Sequence, residues 1–141
     1  MTDGNFRRFL ARSLETLRSE LPVGYAAVAA GLGRREVRVQ VDGEELAICS
    51  DGRQLTLVDA ALYPVAYAQA TTAALRSILE GEESLENAVL AQRIHLQGCL
   101  DDLVAFYEAL RSYFNAAVRC PSFAGLLREY LLATRNSHHR K

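Results

Sequence analysis

The stretch Val65–Gly98, VAYAQATTAALRSILEGEESLENAVLAQRIHLQG, fits a strand, two short helices and a second strand into one run of chain. Val65, Tyr67 and Gln69 alternate with Ala66, Ala68 and Ala70, the period of two that sends successive side chains to opposite faces of a strand. Thr71 or Thr72 can then cap a helix whose Leu75, Ile78 and Leu79 share a face, and Gly81 is placed to end it. Ser84 can cap a second helix with Leu85, Ala88 and Val89 as its buried stripe. From Arg93 to Gln97 the period of two returns, with Ile94 and Leu96 on one side, and Gly98 closes the strand.

Working outward, the residues after Gly98 form the strongest periodic segment of the chain. Leu103, Phe106, Tyr107, Leu110, Tyr113, Phe114 and Ala117 make a wide apolar stripe, and Asp101 and Asp102 suit a helix start. Upstream the period is again two. Val37, Val39 and Val41 alternate with Arg38 and Gln40, Asp42-Gly43 supplies a turn, and Leu46 and Ile48 alternate with Ala47 and Cys49. After a second turn signal at Asp51-Gly52, Leu55–Val58 gives a third strand. Five strands with one apolar face must be covered, so the expected fold is α+β: a five-stranded, antiparallel-rich sheet with helices on one face.

The ordered set Ile78-Leu79-Glu80-Gly81-Glu82, Ser84 to Arg93, Arg93 to Gly98 and Leu100 to Leu110 resembles the sterol carrier protein type-2 family of lipid-binding domains. The resemblance spans Val37 to Phe114 and implies the same two-layer architecture, with a cavity between sheet and helices for an apolar small molecule such as a lipid, acyl chain or polyketide-like compound. It implies a carrier or accessory role, and brings no catalytic signature and no cofactor. Tyr67, Leu75, Leu79, Ile94, Phe106, Leu110, Tyr113 and Phe114 are the candidate ligand-lining residues, being the large side chains assigned to the inward parity of two strands and the apolar faces of two helices. The same side chains could equally fill a solid core, because an aromatic stripe first of all means buried area.

The flanks are helical. Phe6, Leu10, Leu14, Leu17 and Leu21 recur at helical spacing over Asn5–Leu21, Pro22 marks an end, and Val23–Gly33 reads as a helical connector, giving an N-terminal segment over residues 5–34 before the core at 36–114. Glu15 and Glu20 dilute the basic face of the first helix, which favours packing on the domain over membrane docking and leaves only transient membrane contact open. Pro121 opens a C-terminal helix over 121–134 carrying Phe123, Leu126, Leu127, Tyr130 and Leu131, which could cover the pocket mouth, form a homodimer, or pack on the N-terminal helix. Residues 135–141 read as a disordered basic tail.

Composition narrows the functions. The 141 residues suit a single domain, half of them are hydrophobic, and 16 Lys and Arg nearly balance 17 Asp and Glu, so nothing favours nucleic acid as a partner. Three widely spaced cysteines, Cys49, Cys99 and Cys120, fit reduced thiols and a cytoplasmic setting, and Met1–Leu10 lacks an apolar signal core. No catalytic or metal-binding constellation emerges. His95 has outward parity, the His138-His139 pair lacks carboxylate or thiol partners, and the glycines form no phosphate loop, so neither metal nor cofactor is expected. An enzyme using the same cavity, or a filled-core oligomerisation module, are the competing readings.

Overall fold

The computed structural model describes the backbone of residues 4–139 and the side chains of residues 4–134. Two helices, α1 (Asn5–Glu20) and α2 (Pro22–Leu32), precede β1 (Arg34–Val41), β2 (Glu44–Asp51) and β3 (Leu55–Val58). They are followed by β4 (Ala66–Ala70), α3 (Thr72–Leu79), α4 (Leu85–Leu90), β5 (His95–Gly98), α5 (Leu100–Arg119) and α6 (Phe123–His139). The architecture is α+β, with a mixed sheet in the order β3-β2-β1-β4-β5.

Local chemistry explains the connections. Asp42 and Gly43 both take positive φ (51° and 86°), the turn whose twist matches that of the paired strands β1 and β2. At the β2–β3 turn, Asp51 Oδ1 accepts from Arg53 N (2.8 Å) and Gln54 N (2.7 Å). Three strand pairs are antiparallel and the fourth, β1 with β4, is parallel. A parallel neighbour cannot be reached by a hairpin, and residues 59–65 make the crossover. Glu36 anchors it: Val65 N donates to its carbonyl (2.8 Å), and Leu62 N and Tyr63 N donate to its Oε1 (3.0 Å each).

The caps at Thr71 and Ser84 form as the sequence indicates, each side-chain oxygen accepting an amide proton three residues on, from Ala74 (3.1 Å) and Asn87 (3.0 Å). Several boundaries differ from expectation. Pro22 not only follows α1 but opens α2 in the first turn, where its missing N–H costs nothing. The last strand begins at His95 and not at Arg93, because the amides of Arg93 and Ile94 both close back onto the Ala88 carbonyl at the end of α4 (2.8 and 3.2 Å). Helix α6 starts at Phe123, after a turn at Pro121 and Ser122, and not at Pro121; it runs to His139, so residues 135–139 continue a helix where charge and position suggested a disordered tail, and residues 140 and 141 lie outside the described residues. Because the side chains beyond Thr134 are not among those described, the His138-His139 pair is not placed.

Helix α6 packs on α1, where Phe9 and Tyr130 stack with ring centroids 4.9 Å apart. Packing on the N-terminal helix was one of the three roles open to it from sequence. Phe123, Leu126, Leu127 and Tyr130 are buried within the one chain, and Leu131, the fifth residue of the stripe, is half-buried. Among the described residues no helix is long and apolar enough to cross a membrane.

Candidate functional site

The inward face of the sheet carries Val39, Val41, Ile48, Leu55, Ala68 and Ala70, and these side chains form the floor of a chamber of about 100 Å³. Helix α1 roofs one side with Phe6, Phe9, Leu10 and Leu14, and Val28 and Leu32 of α2 close another. The opposite wall comes from Leu75 and Leu79 of α3, Ile94 before β5, and Phe106, Ala109, Leu110, Tyr113 and Phe114 of α5. Every lining side chain is apolar apart from the phenol of Tyr113.

That phenol is already engaged. Ser13 Oγ donates to the Leu10 carbonyl (2.8 Å), so in its 2.7 Å bond with Tyr113 Oη it accepts, and the tyrosine donates. Ser13 is fully buried. Burial pushes the Tyr113 hydroxyl well above the ordinary range, and the Ser13 bond only partly opposes this. A neutral phenol whose proton is occupied is no general base, and it presents its ring to the chamber, edge-on to Phe114 at 5.4 Å. Any polar group placed inside would lose its water for nothing, at a cost of about 1–3 kcal/mol. The chamber therefore suits hydrocarbon.

Of the eight candidate residues, Leu75, Leu79, Ile94, Phe106, Leu110, Tyr113 and Phe114 are brought together on the chamber wall, and Tyr67 is not. Tyr67 lies on the other face of the sheet, where its hydroxyl donates to Gln40 Oε1 (3.2 Å) and the Arg38 guanidinium carbon sits 4.9 Å over its ring. Alternation determines that the two parities of β4 face opposite ways but not which way each faces. Bulk pointed to the tyrosine, yet the buried residues are Ala66 and Ala68, whose small size leaves room for α5 above the strand. The exposed His95 is placed as its parity required.

Sequence reading missed the α1, α2 and sheet-floor contributions. The signal for Phe6, Leu10 and Leu14 was present as a helical stripe, but periodicity does not say what a stripe packs against. Asp102 also does more than start a helix: its Oδ1 accepts from Arg35 Nε (2.9 Å), while Arg35 Nη1 donates to the Leu32 carbonyl (2.9 Å), tying α5 to β1 and to the end of α2.

A second space lies outside the chamber. The groove between α3, α5 and α6 has a volume of about 650 Å³ and mixes apolar side chains with Arg76, Glu80 and Arg128. Leu79 lines both spaces. Each cysteine is an unpaired thiol, with Cys99 exposed, Cys49 half-buried and Cys120 buried.

No family model and no curated protein sequence matches the chain. Several solved structures do match its fold. A structure described as "UbiJ-SCP2 Ubiquinone synthesis protein" is similar with a TM-score of 0.55 at 14% identity, covering 79% of this chain and 98% of that one. A crystal structure of sterol carrier protein 2 gives 0.54 at 15% identity over 80% and 95% of the two chains. The sterol carrier protein domain 2 of Helicoverpa armigera gives 0.55 at 11% identity, over 84% and 96%. The chain thus has a sterol carrier protein 2-like fold, as the resemblance at Ile78–Glu82 and Ser84–Leu110 implied.

Proposed function

We propose that this protein binds an apolar small molecule, such as a lipid, acyl chain or polyketide-like compound, in the chamber between sheet and helices, and acts as a carrier or pathway accessory. The observation that carries the reading is the chamber wall, which offers hydrocarbon on every side and leaves no free hydrogen-bonding group. The names of the structurally similar sterol carrier proteins support the same ligand class. Affinity would come from apolar area removed from water, about 25 cal/mol per Å² before ordering costs. At about 100 Å³ the chamber holds only a fragment of such a ligand. A dry cavity of about 150 Å³ admits one benzene, so binding of a whole chain requires the wall to give.

Leu110→Trp tests this reading. The substitution fills chamber volume, so uptake of a fluorescent fatty acid should weaken while thermal stability falls by less than about 1 kcal/mol, since a void accepts added atoms. A parent protein that takes up no probe, together with a loss of roughly 1–3 kcal/mol in the variant, would identify a filled core and overturn the proposal.

A further inference from the structure

We propose that the groove between α3, α5 and α6 holds the head group of an anionic single-chain amphiphile whose tail passes Leu79 into the chamber. This rests on the chamber being an apolar-ligand site and adds the charge and orientation of the ligand. A head group cannot enter a space without hydrogen-bonding partners, so it must stay at an opening. Leu79, half-buried on α3, is the side chain the chamber and the groove share. The groove's apolar part continues outward over Leu127 and Leu131 to the exposed Val118 and Leu132. Its charged residues are two arginines against one carboxylate: Arg76 pairs with Glu80 (3.2 Å), and Arg128 has no ion-pair partner among the described residues. The groove is thus left with one uncompensated cation beside a hydrocarbon path.

Other openings next to the chamber differ from it in charge balance or in size. The groove between α1 and β3 shares Leu14 and Leu55 with the chamber, but its Arg7 pairs with Asp59 and its Arg18 with Glu15 (3.2 Å). The groove between α1 and α6 also sets two arginines, Arg8 and Arg12, against one carboxylate, Glu129, but it is only about 100 Å³, and the residue it shares with the chamber, Phe9, lies stacked on Tyr130.

The experiment compares dodecanoate, dodecyl phosphate and dodecanol, each below its aggregation threshold, as competitors of a fluorescent fatty acid on the full chain at low and high salt. The two anions should compete roughly two- to fivefold better than the alcohol, with the advantage shrinking as salt screens Arg128. Dodecanoate ahead of dodecyl phosphate identifies a carboxylate head, and the reverse order a phosphate head; both support the site. Arg128→Glu should abolish the preference and leave dodecanol unaffected, Leu79→Trp should weaken all three competitors, and Arg18→Glu, in the α1–β3 groove, should change nothing. Equal competition by alcohol and anions in the parent would overturn the head-group site while leaving the chamber reading intact. So would a preference removed by Arg18→Glu and not by Arg128→Glu. Failure of every competitor, and of the probe itself, would overturn both.

Discussion

The helical layer holds two seams that are built differently: α2–α5, whose helices both line the chamber, and α1–α6, of which only α1 does. Where α2 meets α5 the residues are small: a Cβ added to Gly24 would lie 2.9 Å from Ala116 Cβ, and one added to Gly31 would meet the Ala109 backbone at 3.5 Å. Where α1 meets α6 the residues are large, with Phe9 stacked on Tyr130 and Phe6 tilted against it at 6.2 Å, and the edges are fastened by polar pairs. Those pairs are Arg12 with Glu129, and Cys120 and Ser122, just before α6, with Glu20, while Thr72 of α3 also bonds Tyr130. A seam of close backbones yields only by losing packing throughout, whereas an ion pair as exposed as Arg12 and Glu129 (52% and 61%) contributes no more than about 1 kcal/mol. The α2–α5 side is therefore expected to stay fixed when the chamber takes up ligand, and the α1–α6 side to give.

The comparison breaks first at Gly24. Gly24→Leu inserts a branched side chain into a gap that does not accept even a methyl group without movement, and should destabilise the protein by roughly 1–3 kcal/mol or more in chemical denaturation. Replacing a helical glycine recovers up to about 1 kcal/mol of propensity, so a net loss means that the clash outweighs it. A variant as stable as the parent would show that the α2–α5 seam is loose, and the contrast between the two sides would disappear.

The unequal legibility of the molecule follows from the same contrast. Elements over 65–98 could be read because their signals are local: Thr71 and Ser84 cap amides three residues away, and Gly81 ends a helix with φ 79°. The chamber wall on α5 could also be read, since Phe106, Leu110, Tyr113 and Phe114 recur with the helical period. What α6 packs against could not. The Glu20–Ser122 and Arg12–Glu129 ties join residues at opposite ends of the chain, and neither residue of a pair reveals its partner. The face of β4 was misread for a related reason: Tyr67 or Ala68 turns inward according to what lies above the strand, and α5 arrives from far along the sequence.

A smaller effect, and one that sharpens the comparison, is expected at Tyr130. Its hydroxyl shares a 2.7 Å hydrogen bond with Thr72 Oγ1 at the start of α3, and burial raises the phenol above its ordinary range. Tyr130→Phe keeps the stack on Phe9 and removes only that bond, at a cost of about 0.5–1.5 kcal/mol. If the α1–α6 side is the one that gives, hydrogen exchange should speed up in α1 and α6 and remain unchanged in α2 and α5. Uniform acceleration across all four helices would mean that the two sides open together.

The smallest effect belongs to Glu20, and pH reveals it. Ser122 Oγ donates to its Oε2 (2.6 Å) and Cys120 Sγ to its Oε1 (3.0 Å), and these bonds hold the carboxyl below the usual carboxylate range. A carboxyl lowered on folding contributes its stability above the unfolded-state value and loses it as pH falls through the lowered native value. Glu20→Gln keeps the shape and one carbonyl acceptor but cannot be charged. Its melting temperature should lie slightly below the parent's at neutral pH, and the gap should close under acid conditions, where the parent carboxyl is protonated as well. Arg93 lowers a second carboxyl, Glu83, but that pair is common to both proteins and cancels in the difference. A gap that stays constant from neutral to acid pH would show that the tie between α1 and the approach to α6 draws nothing from the charge, leaving the Phe9–Tyr130 stack as the main fastening on that side.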